Sequence, residues 1–127
     1  VNLPVKDLER SVTFFTELGF TFNPQFTDAT AACMVVTETI YVMLLTEAKF
    51  QAFTPKPVAN ARQSTEVLLA LAMESRAAVE ALVQQAFDLG GARYAEPQDH
   101  GFMYQHGFED LDGHIWEIFY MDPSAVI

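Results

Sequence analysis

One stretch near the end of the sequence concentrates residues that could do chemistry. Residues 108–117 read FEDLDGHIWE, with carboxylates around a predicted turn and a single glutamate, Glu117, in the apolar strand that follows. A carboxylate in such a strand is costly unless it is paired, exposed or bound to a metal. If Leu111 and Asp112 form a two-residue loop, His106 lies opposite Glu117 and the two side chains share one face of the sheet. A slip of one residue would separate them.

The predicted pair of His106 and Glu117 has two interpretations. Histidine titrates near neutral pH and a carboxylate can orient it, so the pair could act in acid–base catalysis or bind a metal. Alternatively, it is a buried hydrogen-bonded pair with a structural role, which is the more common case. Eleven Phe, four Tyr and one Trp exceed what a small core requires, so some rings are expected to line a pocket around this pair. These rings are Phe102, Tyr104, Phe119 and Trp116.

Signatures of other chemistries are absent from the sequence. It contains no G-x-S-x-G, no phosphate-cradling glycine loop, no C-x-x-C and no H-E-x-x-H. The single cysteine, Cys33, is expected to be a small core residue on an apolar strand. One cysteine cannot form an internal disulfide, and no signal segment precedes the first predicted strand, so we expect a cytoplasmic location. Because Val1 already lies in that strand, we also expect a residue or two before it.

Composition and charge limit the function classes. The 127 residues fit one domain, half of them are hydrophobic and only 19% are charged, so the chain can bury a core. The net charge of −10 disfavours binding to nucleic acid or to anionic membrane surfaces, and it favours a cationic ligand. Apolar runs stay far short of the roughly 18 residues that a transmembrane helix requires.

The first half of the sequence predicts a strand, a helix and three further strands. The strand covers residues 1–5, and the helix begins after Asp7 as its N-cap and ends at Gly19. Apolar residues recur along this helix at steps of three and four, which places them on one face. Runs rich in Val, Met, Tyr and Leu then predict a meander of strands near residues 20–27, 31–37 and 40–46.

The second half repeats this order. A strand at residues 66–73, expected to be buried on both faces, leads to a helix that is capped by Ser75, ends at Gly90 and is three residues longer than the first. Two unrelated stretches with a common strand–helix layout would give the same pattern. Three more strands are predicted near residues 92–94, 102–108 and 114–121.

The repeat predicts the fold class and the division of the chain. We predict an α+β fold in which two tandem βαβββ modules form curved mixed sheets around a cavity. The whole chain, 1–127, is then one domain. Module 1 covers about residues 1–53, a linker about 54–64 and module 2 about 65–127.

Both ends of the sequence resemble one known superfamily. The opening NLPVKDLERS, followed by FF and LGF, and the closing FEDLDGHIWE are similar to the glyoxalase, bleomycin-resistance and extradiol-dioxygenase superfamily, also called vicinal oxygen chelate. Among its branches, the chain is most similar to predicted lactoylglutathione lyases. The resemblance spans essentially the whole chain, and it implies the same fold of two βαβββ modules.

The resemblance also implies where a divalent metal would bind. Metal-using members hold the ion at four inward positions, two in each module. The matching positions here are Glu117, Leu44, Leu68 and the residue before Val1. Leucine has no donor for a metal, so Glu117 alone is retained among the three visible positions. His106 is the candidate substitute ligand.

Two functions are consistent with these observations. The first is a lactoylglutathione lyase-like enzyme, a lyase or isomerase with a degenerate metal site, in which Glu117 transfers a proton and His106 assists. The alternative is a metal-free protein that binds an aromatic or cationic drug, or another small molecule, in a pocket lined by the rings together with Leu44 and Leu68. In either case we expect a homodimer, because each module leaves a sheet edge to cover.

Overall fold

The structure is a computed structural model, and it describes residues 1–125. The chain divides into two compact units, Val1–Asn60 and Ala61–Ile127. Each unit contains one open four-stranded mixed sheet and one long helix, in the order strand, helix, strand, strand, strand. The predicted α+β fold of two tandem βαβββ modules is therefore confirmed. Within the described residues, no helix has the length and apolar character needed to cross a membrane.

The first unit has the strand order β1-β4-β3-β2, with β1 parallel to β4 and the other pairs antiparallel. Its helix α1 (Leu8–Glu17) begins where predicted, because the Asp7 side chain accepts the backbone N–H of Arg10 at 3.1 Å. It ends before Gly19, whose φ of +106° is a conformation that glycine adopts without strain. The strands are β1 (Asn2–Val5), β2 (Thr21–Asn23), β3 (Ala31–Val35) and β4 (Tyr41–Thr46).

Two details of the first unit differ from the prediction. The strand predicted at residues 20–27 is shorter, because a 3₁₀ turn at Pro24–Phe26 follows β2 directly. Proline fixes its own φ, and the Asn23 side chain accepts the backbone N–H of Gln25 at 3.0 Å, so the chain turns there. A short helix, α2 (Glu47–Gln51), follows β4 and was not predicted.

The second unit has the strand order β5-β8-β7-β6, with β5 parallel to β8 and the other pairs antiparallel. Its helix α3 (Arg76–Asp88) begins at Ser75, whose hydroxyl accepts the backbone N–H of Ala78 at 3.0 Å. The helix has 13 residues against 10 in α1, which confirms the predicted difference in length. The strands are β5 (Leu68–Ala72), β6 (Gln98–Asp99), β7 (Met103–Glu109) and β8 (Ile115–Met121).

Helix α3 packs on β7 and β8, so the second sheet has a helix face and an open face. The helix face carries the buried side chains of Phe108, Trp116 and Ile118, and the alternating positions, Glu117 among them, form the open face. The prediction that the fifth strand is buried on both faces is wrong, because β5 is an edge strand whose burial alternates. The strand predicted at residues 92–94 is reduced to one bridge, between Ala92 and Glu109.

Candidate functional site

The hairpin of β7 and β8 has a different register from the predicted one. Glu117 lies opposite Gly107, and His106 lies opposite Ile118. Because successive residues of a strand point to opposite faces, Glu117 lies on the open face and His106 on the helix face. The predicted pairing of His106 with Glu117 is therefore wrong by one residue, and the two residues occupy opposite faces of the strand pair.

The slip originates in the turn between the two strands. The backbone N–H of Asp110 donates to the carbonyl of His114 at 2.9 Å, so residues 111–113 form the loop rather than 111 and 112 alone. The last loop residue, Gly113, has a φ of +94°. A three-residue hairpin loop needs this left-handed conformation at its end, and glycine supplies it.

One carboxylate of the motif at residues 108–117, Asp110, has a structural role. Its side chain is buried and accepts three N–H groups: the backbone of Asp112 at 2.9 Å, the backbone of His114 at 3.1 Å and the indole of Trp116 at 2.9 Å. Burial raises the pKa of Asp110, and the charge of His114 and the three donors partly oppose that rise. Asp110 thus joins the turn to the buried tryptophan of the helix face.

His106 packs against α3 rather than beside Glu117. Its ring centroid lies 5.8 Å from that of Phe87, with the ring planes at 75°. Its Nδ1 atom is buried and has no hydrogen-bond partner among residues 1–125. Burial lowers the pKa of His106, and the charge of Arg93 lowers it further, while two glutamates act in the opposite direction. The imidazole is therefore neutral near pH 7.

The rings predicted to line a pocket lie at different places. Tyr104 and Trp116 are buried on the helix face, and the guanidinium of Arg76 lies 4.2 Å from the centroid of the Tyr104 ring. Phe119 follows Glu117 by two residues on the open face, whereas Phe102 is exposed outside the strand, next to the ring of His100. Of these rings, only Phe119 shares a strand face with Glu117.

The two leucines at the matched metal positions also differ. Leu44, in the first unit, is fully buried at 0% exposure. It pairs with Leu3 on β1, and in the second unit Ile118 pairs in the same way with Leu71 on β5. Leu44 therefore corresponds to the core residue Ile118, and Met43 is the first-module counterpart of the retained carboxylate. Leu68, in contrast, is 56% exposed on the open face of its sheet.

Leu68 and Glu117 do come together, at an open cleft of about 140 Å³ within the second unit. We call it the Glu117 cleft. Its walls offer two carboxylates, two amides and one phenol, and they contain no Lys or Arg. The polar lining is Tyr94, Glu96, Gln98, Gln105 and Glu117, and the remaining lining is Leu68, Ala95, His106 and Gly107.

Tyr94 is the residue of this cleft that the sequence interpretation missed. It lies between α3 and β6, and its phenol crosses β7 at Gly107. A β-carbon at Gly107 would overlap the Tyr94 hydroxyl and would lie 2.9 Å from Tyr94 Cε1 and 2.6 Å from the Trp116 carbonyl oxygen. Only glycine therefore permits this approach. The available signal was a glycine inside a predicted strand, which often marks such a close contact.

Four of the five polar side chains of the Glu117 cleft are free to bind a ligand, and the fifth, Glu96, is paired with Arg93. Burial raises the pKa of Tyr94, and the negative charges of Glu117 and Glu109 raise it further, so the phenol stays protonated at neutral pH. Within residues 1–125, no hydrogen bond or ion pair engages the Tyr94 hydroxyl, the Glu117 carboxylate or the side-chain amides of Gln98 and Gln105. Such groups are left to water or to a bound molecule.

The residues around Glu117 do not suit a divalent metal ion. In the described part of the chain, no three His, Cys, Asp or Glu side chains are placed to hold one. The strand neighbours of Glu117 are Ala70 and Gly107, which have no side-chain donor, and His106 lies on the other face. A divalent cation needs several oxygen or nitrogen ligands, and the residues paired with Glu117 on the two neighbouring strands supply none.

Several known proteins share this architecture. Residues 1–37 match the family described as bleomycin resistance protein-like N-terminal. The structure of a hypothetical protein from S. aureus, SA1046, is 30% identical, with a TM-score of 0.80 over 94% of this chain and 89% of that one. A glyoxalase/bleomycin resistance protein/dioxygenase family enzyme from Burkholderia phytofirmans PsJN is 16% identical, with a TM-score of 0.79 over 95% of both chains.

A bleomycin resistance determinant encoded on the transposon Tn5 is also similar, at 16% identity and a TM-score of 0.65 over 95% of this chain and 94% of that one. Among curated proteins, no sequence matches. The chain belongs to the same family as the S. aureus protein, and it shares the fold of the glyoxalase/bleomycin resistance/dioxygenase structures. The fold and the match of residues 1–37 agree with the predicted superfamily, and the nearer similarity to lactoylglutathione lyases stays a prediction.

Proposed function

We propose that this protein is a metal-free binding protein for small organic cations, and that the charged end of the ligand occupies the Glu117 cleft. The observation that carries this proposal is the Glu117 carboxylate itself, which lines the cleft without a partner in residues 1–125. A half-buried carboxylate of this kind gains most from a donor that is positively charged, because such hydrogen bonds contribute about 1.5–3 kcal/mol.

The charges around the cleft support a cationic ligand. The second carboxylate of the lining, Glu96, is paired with Arg93 at 3.4 Å, which leaves Glu117 as the uncompensated charge. His106 is neutral near pH 7, and no other group of the lining carries a positive charge. The net charge of −10 adds a long-range attraction for cations.

The size of the cleft suggests how such a ligand would lie. Its volume of about 140 Å³ is below the roughly 300–1,000 Å³ of pockets that enclose drug-sized molecules. The cleft thus accommodates an ammonium group and the atoms next to it. The exposed side chain of Leu68, on the same face, is available to cover the apolar part of the ligand.

Three probes with one aromatic skeleton test this proposal: phenethylamine, 2-phenylethanol and phenylacetate. Titration followed by amide NMR, with metal chelator present, should show the cation binding most tightly and shifting the Gly107 resonance. Glu117→Gln should weaken phenethylamine at least tenfold, the equivalent of about 1.4 kcal/mol, and leave the neutral alcohol unchanged. Glu96→Gln is the matched control and should retain most of the affinity. Equal binding of the cation by wild type and Glu117→Gln would overturn the proposal.

The second candidate function is a lactoylglutathione lyase-like activity. The retained Glu117, at the position of a metal ligand in related enzymes, is the observation that favours it. Such an activity needs a metal that the described residues do not supply ligands for. Turnover of methylglyoxal with glutathione should therefore be absent with or without added Zn²⁺, Ni²⁺ or Mg²⁺. A metal-dependent rate that Glu117→Gln abolishes would favour the enzyme and refute the metal-free binding protein.

A further inference from the structure

The Glu117 cleft contains a hydrogen-bond donor next to a hydrogen-bond acceptor. The Tyr94 hydroxyl occupies the space that a β-carbon of Gly107 would fill, and Gly107 lies directly opposite Glu117. Directly opposed residues of antiparallel strands place their side chains next to each other on one face, so the Tyr94 hydroxyl and the Glu117 side chain are neighbours in the cleft. No hydrogen bond joins the two side chains in the described structure. Both are therefore available to one ligand at the same time.

The geometry points to an amino alcohol as the ligand, with Tyr94 as its specificity-determining residue. The ammonium group would donate to the Glu117 carboxylate, and the hydroxyl oxygen on a neighbouring carbon would accept from the Tyr94 hydroxyl. This assignment rests on the proposed function, because it takes Glu117 as the site of the positive charge. It adds a second recognition element, which a simple amine does not use.

An amino alcohol satisfies the groups of the cleft better than an amine does. An ammonium group has no lone pair, so it cannot accept the proton of Tyr94 and leaves that donor unpaired. An alcohol oxygen accepts this proton and still has its own hydrogen to donate. Gln105, two residues before Gly107 on the open face, carries an amide oxygen that can accept it and that has no partner within residues 1–125.

The position of Tyr94 depends on Gly107, and its protonation state depends on the surrounding charges. Any side chain at position 107 would displace the phenol from the strand, so the pair of Gly107 and Tyr94 acts as one recognition element. Burial, together with the nearby carboxylates Glu117 and Glu109, keeps the pKa of Tyr94 above its ordinary value. The phenol is thus a proton donor over the whole physiological range of pH.

Two compounds that differ by a single hydroxyl group test this inference: 2-amino-1-phenylethanol and phenethylamine. Both are titrated into the full chain as wild type, Tyr94→Phe and Glu117→Gln, with calorimetry or amide NMR as the readout. Wild type should bind the amino alcohol about three- to tenfold more tightly, as expected for one neutral hydrogen bond. Tyr94→Phe should remove that preference without weakening the binding of phenethylamine, which makes no bond to the hydroxyl. Tyr120→Phe, on the other face of the sheet, is the control and should keep the preference.

The outcomes separate this inference from the function on which it rests. If wild type binds both compounds equally, or if Tyr94→Phe keeps the preference, the role assigned to Tyr94 is overturned while the cation site at Glu117 stands. If Glu117→Gln binds both compounds as well as wild type does, the cation site is refuted. If wild type binds neither compound, the proposed function and the amino alcohol assignment both fail.

Discussion

Asp110 should be a main polar determinant of stability in the second unit. Asp110→Ala removes the acceptor of three N–H groups. Because Trp116 is fully buried at 0% exposure, its indole N–H would be left unpaired, at a cost of about 1–3 kcal/mol. The two turn amides would lose bonds of about 0.5–1.5 kcal/mol each. Removing the carboxylate also removes the cost of burying its charge, which offsets part of these losses. We therefore expect the free energy of unfolding to fall by about 3 kcal/mol.

Urea unfolding measures this loss directly, because the fluorescence of the single tryptophan, Trp116, reports on the same unit. A domain of this size is stable by about 5–15 kcal/mol, so the midpoint should fall clearly with little change in slope. Asp122→Ala is the control: Asp122 accepts the backbone N–H and hydroxyl of Ser124, at 2.9 and 2.8 Å, with access to solvent. Its effect should be much smaller. A loss below about 1 kcal/mol for Asp110→Ala would refute the reasoning.

Three further predictions concern other features of the molecule. Burial lowers the pKa of His106 from its ordinary 6.5, so below that pH the unfolded chain binds more protons than the folded chain does. The contribution of neutral His106 to the free energy of unfolding should therefore be complete above pH 6.5 and should decline as the pH falls through 6.5. In urea midpoints measured against pH, His106→Phe should flatten this decline, whereas the control His100→Gln, at an exposed residue, should not. An unchanged decline in His106→Phe would contradict the assignment of the pH dependence to His106. Gly107→Ala should displace Tyr94 and return its pKa, measured by ultraviolet titration, towards the ordinary 10.0; a titration like that of wild type would show that the phenol does not depend on the glycine. Finally, the open sheet edges lead us to expect a homodimer, and a monomeric mass by light scattering at micromolar concentration would exclude it.

The sequence alone determined the order of the main elements and the ends of the two long helices. Asp7 and Ser75 begin their helices through side-chain bonds to residues three positions later, and Gly19 ends the first helix in a left-handed conformation. These signals are local, since a cap or a stop involves only neighbouring residues. The repeat of caps and stops then fixed the two βαβββ modules without any knowledge of long-range contacts.

The tertiary structure alone decided which side chains meet at the cleft. The register of β7 and β8 depends on one residue of loop length, and the buried bond from Trp116 to Asp110, together with the left-handed Gly113, selects the longer loop. A change of one residue moves every side chain of the strand to the other face, so Glu117 lies beside Gly107 and not beside His106. Tyr94 lies in an irregular segment, and no periodic pattern in the sequence predicts the path of such a segment. The position of the Tyr94 ring is set by its contact with Gly107.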